Sequence, residues 1–206
     1  TRNQRLAAIR SFYRYIQVHH PEHLLQSREI IGIPSKATKE RAMNYLDLDG
    51  LKVLLSMPDP STRQGRRDMV LLSLLYDSGA RVQEIVDLCR VDVRTAFPAT
   101  VRLSGKGGKT RIVPISTDMA QLLQSYLEEL AQMGRAKDTD ALFNSRSGQR
   151  MTRAGVAYIL TKYADMARRA SPGSVPDAFS PHCLRHSKAM HLLQAGINLV
   201  YIRDLL

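Results

Sequence analysis

The chain has 206 residues, of which 30 are Lys or Arg and 19 are Asp or Glu, so its formal net charge is +11 at pH 7. An apolar content of 44% excludes a wholly disordered chain, and no apolar run has the length of a membrane helix. The first residues are not a signal peptide, and without an initial Met we expect them to lie inside a longer protein. Cys89 and Cys183 are too few for a disulfide framework and fit a reducing cytoplasm.

Positive charge is concentrated in three segments of the sequence. Residues 1–41 hold eight Lys or Arg against three Glu, residues 102–111 hold four basic residues and no acid, and residues 141–170 hold six against Asp165. One interpretation is scattered, solvated surface charge. The other is that separate basic segments converge on one phosphate backbone, as in nucleic-acid binding.

The N-terminal part of the chain predicts one helix and a linker. Apolar residues recur at helical spacing over residues 3–20, and Pro21 ends the pattern. A polar stretch over residues 34–41 is typical of a linker. We therefore expect residues 1–33 to be separate from a larger domain over residues 42–206.

The larger domain begins with three predicted helices. A short apolar helix follows a cap at Asp47 or Asp49. A long helix over residues 64–78 is apolar on nearly all sides, which is typical of the centre of a core. Gly79 suits the left-handed residue that ends such a helix, and a short helix over residues 82–88 follows.

A β-hairpin comes next, because residues 99–103 and 111–115 alternate in polarity around a glycine-rich turn. Later helices are predicted to begin at Ser116 or Thr117, at Thr152, at Ser180 or Pro181, and at Asn198. The expected fold class is α+β, mainly α, with a small antiparallel hairpin or sheet at one edge.

Arg81 occupies an unusual place directly after the Gly79 stop, with Glu84 one turn later. One interpretation is a surface ion pair of Arg81 with Glu84 or Asp77. The alternative is a guanidinium that Glu84 orients for bidentate binding of a phosphate.

The hairpin turn carries Lys106 and Lys109 among glycines and has no acidic residue. A Walker A phosphate loop is excluded, because Leu103 stands where its first glycine belongs and no helix follows. Such a tip is often only a turn. It also suits a finger that enters a nucleic-acid groove and delivers an ammonium group to a reacting oxygen.

His182 and Arg185 are three residues apart on the first turn of a predicted helix, so their side chains are neighbours. An imidazole and a guanidinium can together move a proton and neutralise phosphoryl charge. A zinc site on His182 and His186 is not expected, since Glu does not follow His182 and Arg185 would repel the cation. His186 is equally consistent with a structural role, and Cys183 with packing.

Taken in order, these segments resemble the tyrosine recombinase, or phage integrase, family. The family's first motif, an Arg after a small turn with Glu three residues later, matches residues 78–85. Its hairpin lysine matches Lys106, and its H-x-L-R-H box matches residues 182–186. The resemblance covers residues 42–206, and residues 1–33 resemble the last helix of the family's core-binding domain.

The resemblance implies a site-specific recombinase or integrase that cleaves and rejoins double-stranded DNA through a 3′-phosphotyrosine intermediate, without a metal or cofactor. Arg81 and Arg185 would bind the phosphate oxygens, Lys106 would protonate the leaving 5′ oxygen, and His182 would act as general base or proton shuttle. Glu84 would orient Arg81 or a neighbour. The implied contacts to the DNA backbone are Lys109, Arg111 and Arg153.

The resemblance also places the nucleophilic tyrosine beyond Leu206. We therefore expect no nucleophile in this chain, no cleavage by the chain alone, and only a packing role for Tyr201. The family acts as tetramers on DNA, and these motifs fit integration, excision, transposition and dimer resolution alike. The alternative is a non-catalytic DNA-binding module of the same fold. An RNA-binding scaffold is disfavoured because Trp is absent and only four Phe occur.

Overall fold

The computed structural model describes residues 2–37 and 44–206, and it divides the chain into two compact units, Thr1–Ala42 and Met43–Leu206. No helix within the described residues is long and apolar enough to cross a membrane.

The first unit contains two α-helices where the sequence predicted one. Helix α1 (Arg2–His19) ends before Pro21 as predicted, but α2 (Leu24–Gly32) follows after a single 3-10 turn. Asn3 and Lys36 exchange two hydrogen bonds of 2.9 Å, which join the residues after α2 to the start of α1. The remainder of the predicted linker, residues 38–41, lies outside the described residues.

The second unit is mainly helical, which confirms the predicted fold class. Its helices are α3 (Leu48–Ser56), α4 (Arg63–Asp77), α5 (Val82–Asp87), α6 (Thr117–Gln132), α7 (Arg153–Ala170), α8 (Pro181–Gln194) and α9 (Leu199–Leu205). Five of them begin where a side-chain oxygen accepts a hydrogen bond from a backbone N–H of the first turn. These caps are Asp47, Thr62, Ser116, Thr152 and Asn198.

An antiparallel sheet lies between α5 and α6 in the chain. Its strands are β1 (Val93–Arg94), β2 (Thr100–Ser104) and β3 (Thr110–Pro114), in the order β1-β2-β3. The predicted hairpin is therefore confirmed, whereas β1 has only two residues and leaves no alternating pattern in the sequence.

Helix α4 is the centre of the core, as its apolar sequence predicted. Five of its side chains are almost completely buried: Val70, Leu71, Leu72, Leu74 and Leu75. Helices α3, α6 and α8 pack against it. The helix is thus fixed on several sides, and Gly79, at φ 57°, turns the chain directly after it. Because the turn is anchored to the core, the residues that follow are held in place.

A buried polar network joins α4 to α7. Asp68 accepts two hydrogen bonds from Arg67, at 2.9 and 2.7 Å, and one from the Tyr163 hydroxyl at 3.0 Å. Burial, with the adjacent charge of Asp68, raises the pKa of Tyr163 to about 12. The Asp68 carboxylate is therefore satisfied by Arg67 and Tyr163 together.

The expectation that Tyr201 packs in the core is wrong, since its side chain is 72% exposed. Ile202, the next residue, is the buried one in α9. The apolar pattern of this short helix did not distinguish the two faces.

We predict that Asp68→Ala lowers the free energy of unfolding by about 3–5 kcal/mol, because it leaves the Arg67 guanidinium without its buried partner. Urea unfolding at pH 7 measures this loss. Asp49→Ala is the matched control: it removes an exposed pair with Lys52 and should cost less than about 1 kcal/mol. Equal losses in the two variants would contradict a stabilising role for the network.

Candidate active site

Arg81 lies at the start of α5, two residues after the Gly79 turn. Its backbone N–H donates to Glu84 Oε2 at 2.8 Å, and its Nη1 donates to Glu84 Oε1 at 3.1 Å. The side chain is still 55% exposed. The predicted pairing with Glu84 is present, and it leaves much of the guanidinium open to a ligand.

Glu84 is 2% exposed and forms a bidentate ion pair with Arg111. Arg111 Nη1 and Nη2 donate to its two oxygens at 2.7 and 2.9 Å. Burial raises the pKa of Glu84, but the hydrogen bonds from Arg111 and Arg81 outweigh burial, so that the pKa lies below its ordinary value. Glu84 is therefore held as a carboxylate between two arginines.

Arg111, which the resemblance implied to be a DNA contact, is bound within the protein. Besides its two bonds to Glu84, its Nε donates to the Leu205 carbonyl at 3.2 Å, and the side chain is only 22% exposed. The sequence did not reveal this pairing, since the two residues are 27 positions apart.

Arg185 approaches the same place from helix α8. Its Nη1 donates to the Gly79 carbonyl at 2.7 Å. Burial lowers the pKa of Arg185 to about 10, and the positive charges of Arg81 and Arg111 add to this effect, while Glu84 opposes it. Three guanidiniums therefore lie within electrostatic reach of one another around one carboxylate, and the excess positive charge favours a bound anion.

A polar stripe on α8 fixes this helix against the end of α4. Lys188 Nζ lies 3.3 Å from Asp77 Oδ1, and His191 Nδ1 lies 2.9 Å from the Tyr76 hydroxyl. Together with Arg185, these residues follow at intervals of three along α8, while their partners run backwards from the Gly79 turn into the last residues of α4. The stripe thus sets the register of Arg185. Sequence reasoning missed it, although its periodicity was a signal.

His182 is exposed on the first turn of α8 and makes no hydrogen bond within the described part of the chain. Its ring lies 6.4 Å from that of His186, centroid to centroid. The buried position of Cys183 agrees with a packing role. His182 is thus on the helix that carries Arg185 and is open to a ligand.

The hairpin turn begins next to Glu84. A Cβ at Gly105 would lie 3.2 Å from Glu84 Oε1, so a larger residue would crowd the carboxylate. Lys106 follows directly, in a 3-10 turn, and its side chain lies outside the described part of the structure. Lys109, at the end of the turn, and Arg153, at the start of α7, are both exposed.

We predict that Glu84→Gln lowers the free energy of unfolding at pH 7 by about 3 kcal/mol, because the buried arginine loses its charged partner. Since the pKa of Glu84 is lowered on folding, its contribution is present above its unfolded pKa of about 4.5 and is lost as pH falls through the folded value. The deficit of the variant in the free energy of unfolding, relative to wild type, should therefore become smaller as the pH falls.

Urea unfolding between pH 3 and pH 7 tests this dependence. The matched control is Glu128→Gln, which changes an exposed carboxylate whose one hydrogen-bond partner among the described residues is Gln124. A Glu84→Gln variant whose deficit stays constant with pH would contradict the ion pair.

The sequence matches known proteins over most of its length. Residues 44–206 match the model of the Phage integrase family. An integrase/recombinase of Sinorhizobium fredii is 38% identical over 198 residues, which are 96% of this chain and 58% of that protein. A tyrosine recombinase XerC of Pelotomaculum thermopropionicum is 34% identical over 213 residues, covering 100% of this chain and 66% of that protein. The chain spans less than two thirds of either relative.

Solved structures show the same fold. The XerA recombinase is 20% identical with a TM-score of 0.67, and the match covers 100% of this chain and 67% of that one. XerH bound to its difH substrate is 23% identical with a TM-score of 0.68, and the match covers 83% of this chain and 49% of that one. The matched family, the relatives and the fold agree: the chain belongs to the phage integrase, or tyrosine recombinase, family.

Proposed function

We propose that this chain is part of a site-specific DNA recombinase or integrase, in which it binds double-stranded DNA and activates one phosphodiester for strand exchange. The observation that carries the proposal is the cluster of Arg81, Arg111 and Arg185 around the buried Glu84 carboxylate. The relatives support it, since one is named tyrosine recombinase XerC and XerH was solved on its difH substrate in a pre-cleavage complex.

The two arginines that keep donors available bind the scissile phosphate. Arg81 is half exposed. Arg185 is partly buried and repelled by the charges of Arg81 and Arg111, so a phosphate bound beside it would neutralise part of this excess positive charge. Negative charge on the non-bridging oxygens grows in the pentacoordinate transition state, and preorganised guanidiniums stabilise it. Arg111 and Glu84 do not contact the phosphate in this proposal. Glu84, fixed by Arg111, holds Arg81 in position.

Proton transfer is assigned to His182 and Lys106. His182 is exposed beside Arg185 on α8 and serves as general base or proton shuttle. Lys106, on the turn that starts beside Glu84, protonates the leaving 5′ oxygen. Exchange of one phosphate ester for another conserves the bond energy, so the proposal includes no metal and no cofactor.

The proposal assigns the role of nucleophile to no tyrosine of this chain. Within the chain, Tyr126 and Tyr163 are buried with pKa values raised by burial to about 12, and Tyr76 is bound to His191. Lys109 and Arg153 contact the DNA backbone in this proposal. We further propose self-association as a tetramer on DNA and a location in the cytoplasm, where both cysteines stay free.

We predict that this chain joins activated DNA without a tyrosine. The substrate is a duplex, of a sequence that the chain selects from a randomised pool, with a 3′-(4-nitrophenyl) phosphate facing a 5′-hydroxyl. Attack of the hydroxyl on phosphorus forms the phosphodiester and releases 4-nitrophenolate. Arg81→Ala and Arg185→Ala should each slow joining about 100-fold or more.

Arg169→Ala is the matched control, because Arg169 is exposed at the end of α7 and outside the site. It should keep the wild-type rate. If wild type binds the duplex but joins it no faster than the two arginine variants do, the chain is a DNA-binding module without this chemistry.

We also predict that Lys188 acts as a positioning residue through Arg185. Lys188→Met should slow joining about 10-fold without weakening DNA binding, since displacement of a reacting group costs rate rather than affinity. Lys188→Arg, which can still reach Asp77, should restore most of the rate. In the double variant Lys188→Met/Arg185→Lys, the loss of joining rate should be smaller than the product of the two single losses. If it equals that product, the two residues act independently, which would contradict the prediction.

A further inference from the structure

A second basic cavity lies at the N-terminal end of α4, about 22 Å along the helix from the Gly79 turn by its 15 residues. Its volume is about 280 Å³, and it is open to solvent. Four arginines line it together with Tyr126, and no lining residue carries a carboxylate. The arginines are Arg63, Arg67, Arg135 and Arg146.

The four guanidiniums differ in how many hydrogen-bond partners they have within the protein. Arg67 is bound to Asp68 and to the Asn144 carbonyl, and Arg135 donates to the Ala141 carbonyl. Arg63 and Arg146 make no hydrogen bond or ion pair to any residue that the structure describes, and both are exposed. Two guanidinium forks therefore keep all their donors available at the mouth of the cavity.

Acidic residues nearby do not cancel this charge. Hydrogen bonds from Arg66 lower the pKa of Glu129, and both of its oxygens are occupied by that arginine at 2.9 and 2.8 Å. Asp68 is the one carboxylate that the four arginines contact within the described residues. Glu129 lies within electrostatic reach of Arg63, but among the described residues no carboxylate contacts Arg63, Arg135 or Arg146.

Three of the four arginines lie near the Tyr126 hydroxyl. Burial raises the pKa of Tyr126 to about 12, and the charges of Arg135, Arg67 and Arg63 oppose that rise, so all three lie within electrostatic reach of its hydroxyl. Arg63 is in the first turn of α4, where the helix dipole disfavours a cation and where no acidic residue offsets it. An anion bound beside Arg63 would offset this unfavourable charge.

We propose that this cavity binds phosphate groups, with Arg63 and Arg146 as the direct ligands and with Arg67 and Arg135 supplying further positive charge. Planar guanidinium forks bind phosphate oxygens in pairs, and the cavity volume is near the lower end for small-ligand sites. The phosphate belongs either to a DNA backbone or to a free phosphorylated molecule. The proposal is independent of the reaction assigned to Arg81 and Arg185.

Calorimetric titration of the 206-residue chain with inorganic pyrophosphate at low salt tests the free ligand. Wild type should bind pyrophosphate at this cavity and also at the arginines around Glu84. The double variant Arg63→Ala/Arg146→Ala should bind about 10-fold more weakly or worse at this cavity, since each lost bond to a charged group is expensive. It should keep the other binding step. Arg169→Ala is the control for removal of one exposed arginine and should bind as wild type does. The circular dichroism spectrum shows that each variant is folded.

A second measurement tests the DNA backbone as the source. The slope of log K for duplex binding against log salt concentration should fall by about 2 in the double variant, because each phosphate contact contributes about 0.9. Weaker pyrophosphate binding with an unchanged slope identifies a free phosphorylated ligand, and a reduced slope identifies DNA. If the double variant matches wild type in both measurements, the proposal is overturned.

Discussion

The buried carboxylate of Glu84 is the interaction on which the candidate site depends. It brings Arg81 and Arg111 together from elements that are separate in sequence, at distances of 2.7 to 3.1 Å. A buried acid is tolerated there because the two arginines satisfy it, and the lowered pKa shows that their hydrogen bonds outweigh the cost of burial. Without it, the arginines would repel one another.

The fold supplies rigid supports for this carboxylate. Helix α4 is buried over most of its apolar C-terminal half, and Gly79, which follows it with a positive φ, directs the chain to Arg81. Helix α8 packs against α4 and binds the same turn through Arg185, while its further contacts to Asp77 and Tyr76 fix its register. Arg81, Arg111 and Arg185 are therefore placed close together at the surface by the ion pairs to Glu84, the packing of α8 on α4 and the Gly79 turn. Such a concentration of preorganised cations is what recognition of a phosphate requires.

Local signals predicted much of the fold. Asp47, Ser116 and Thr152 are helix caps at the predicted positions, and Gly79 ends the core helix, because capping and left-handed geometry depend on one or a few neighbouring residues. Helix α2 and the two-residue β1 were missed, since short elements form through tertiary contacts. The pairing of Arg111 with Glu84 was missed for the same reason: it exists only after β3 has folded beside α5.

In the proposed function, the arginines around Glu84 form a site for a tetrahedral oxyanion such as a phosphodiester group. This can be tested with a crystal of the chain soaked in tungstate, which has the shape and charge of such an anion. Tungsten density is expected within hydrogen-bond distance of both Arg81 and Arg185, with Arg111 still bound to Glu84. A tungstate-saturated crystal in which no anion contacts Arg81 and Arg185 together would contradict it.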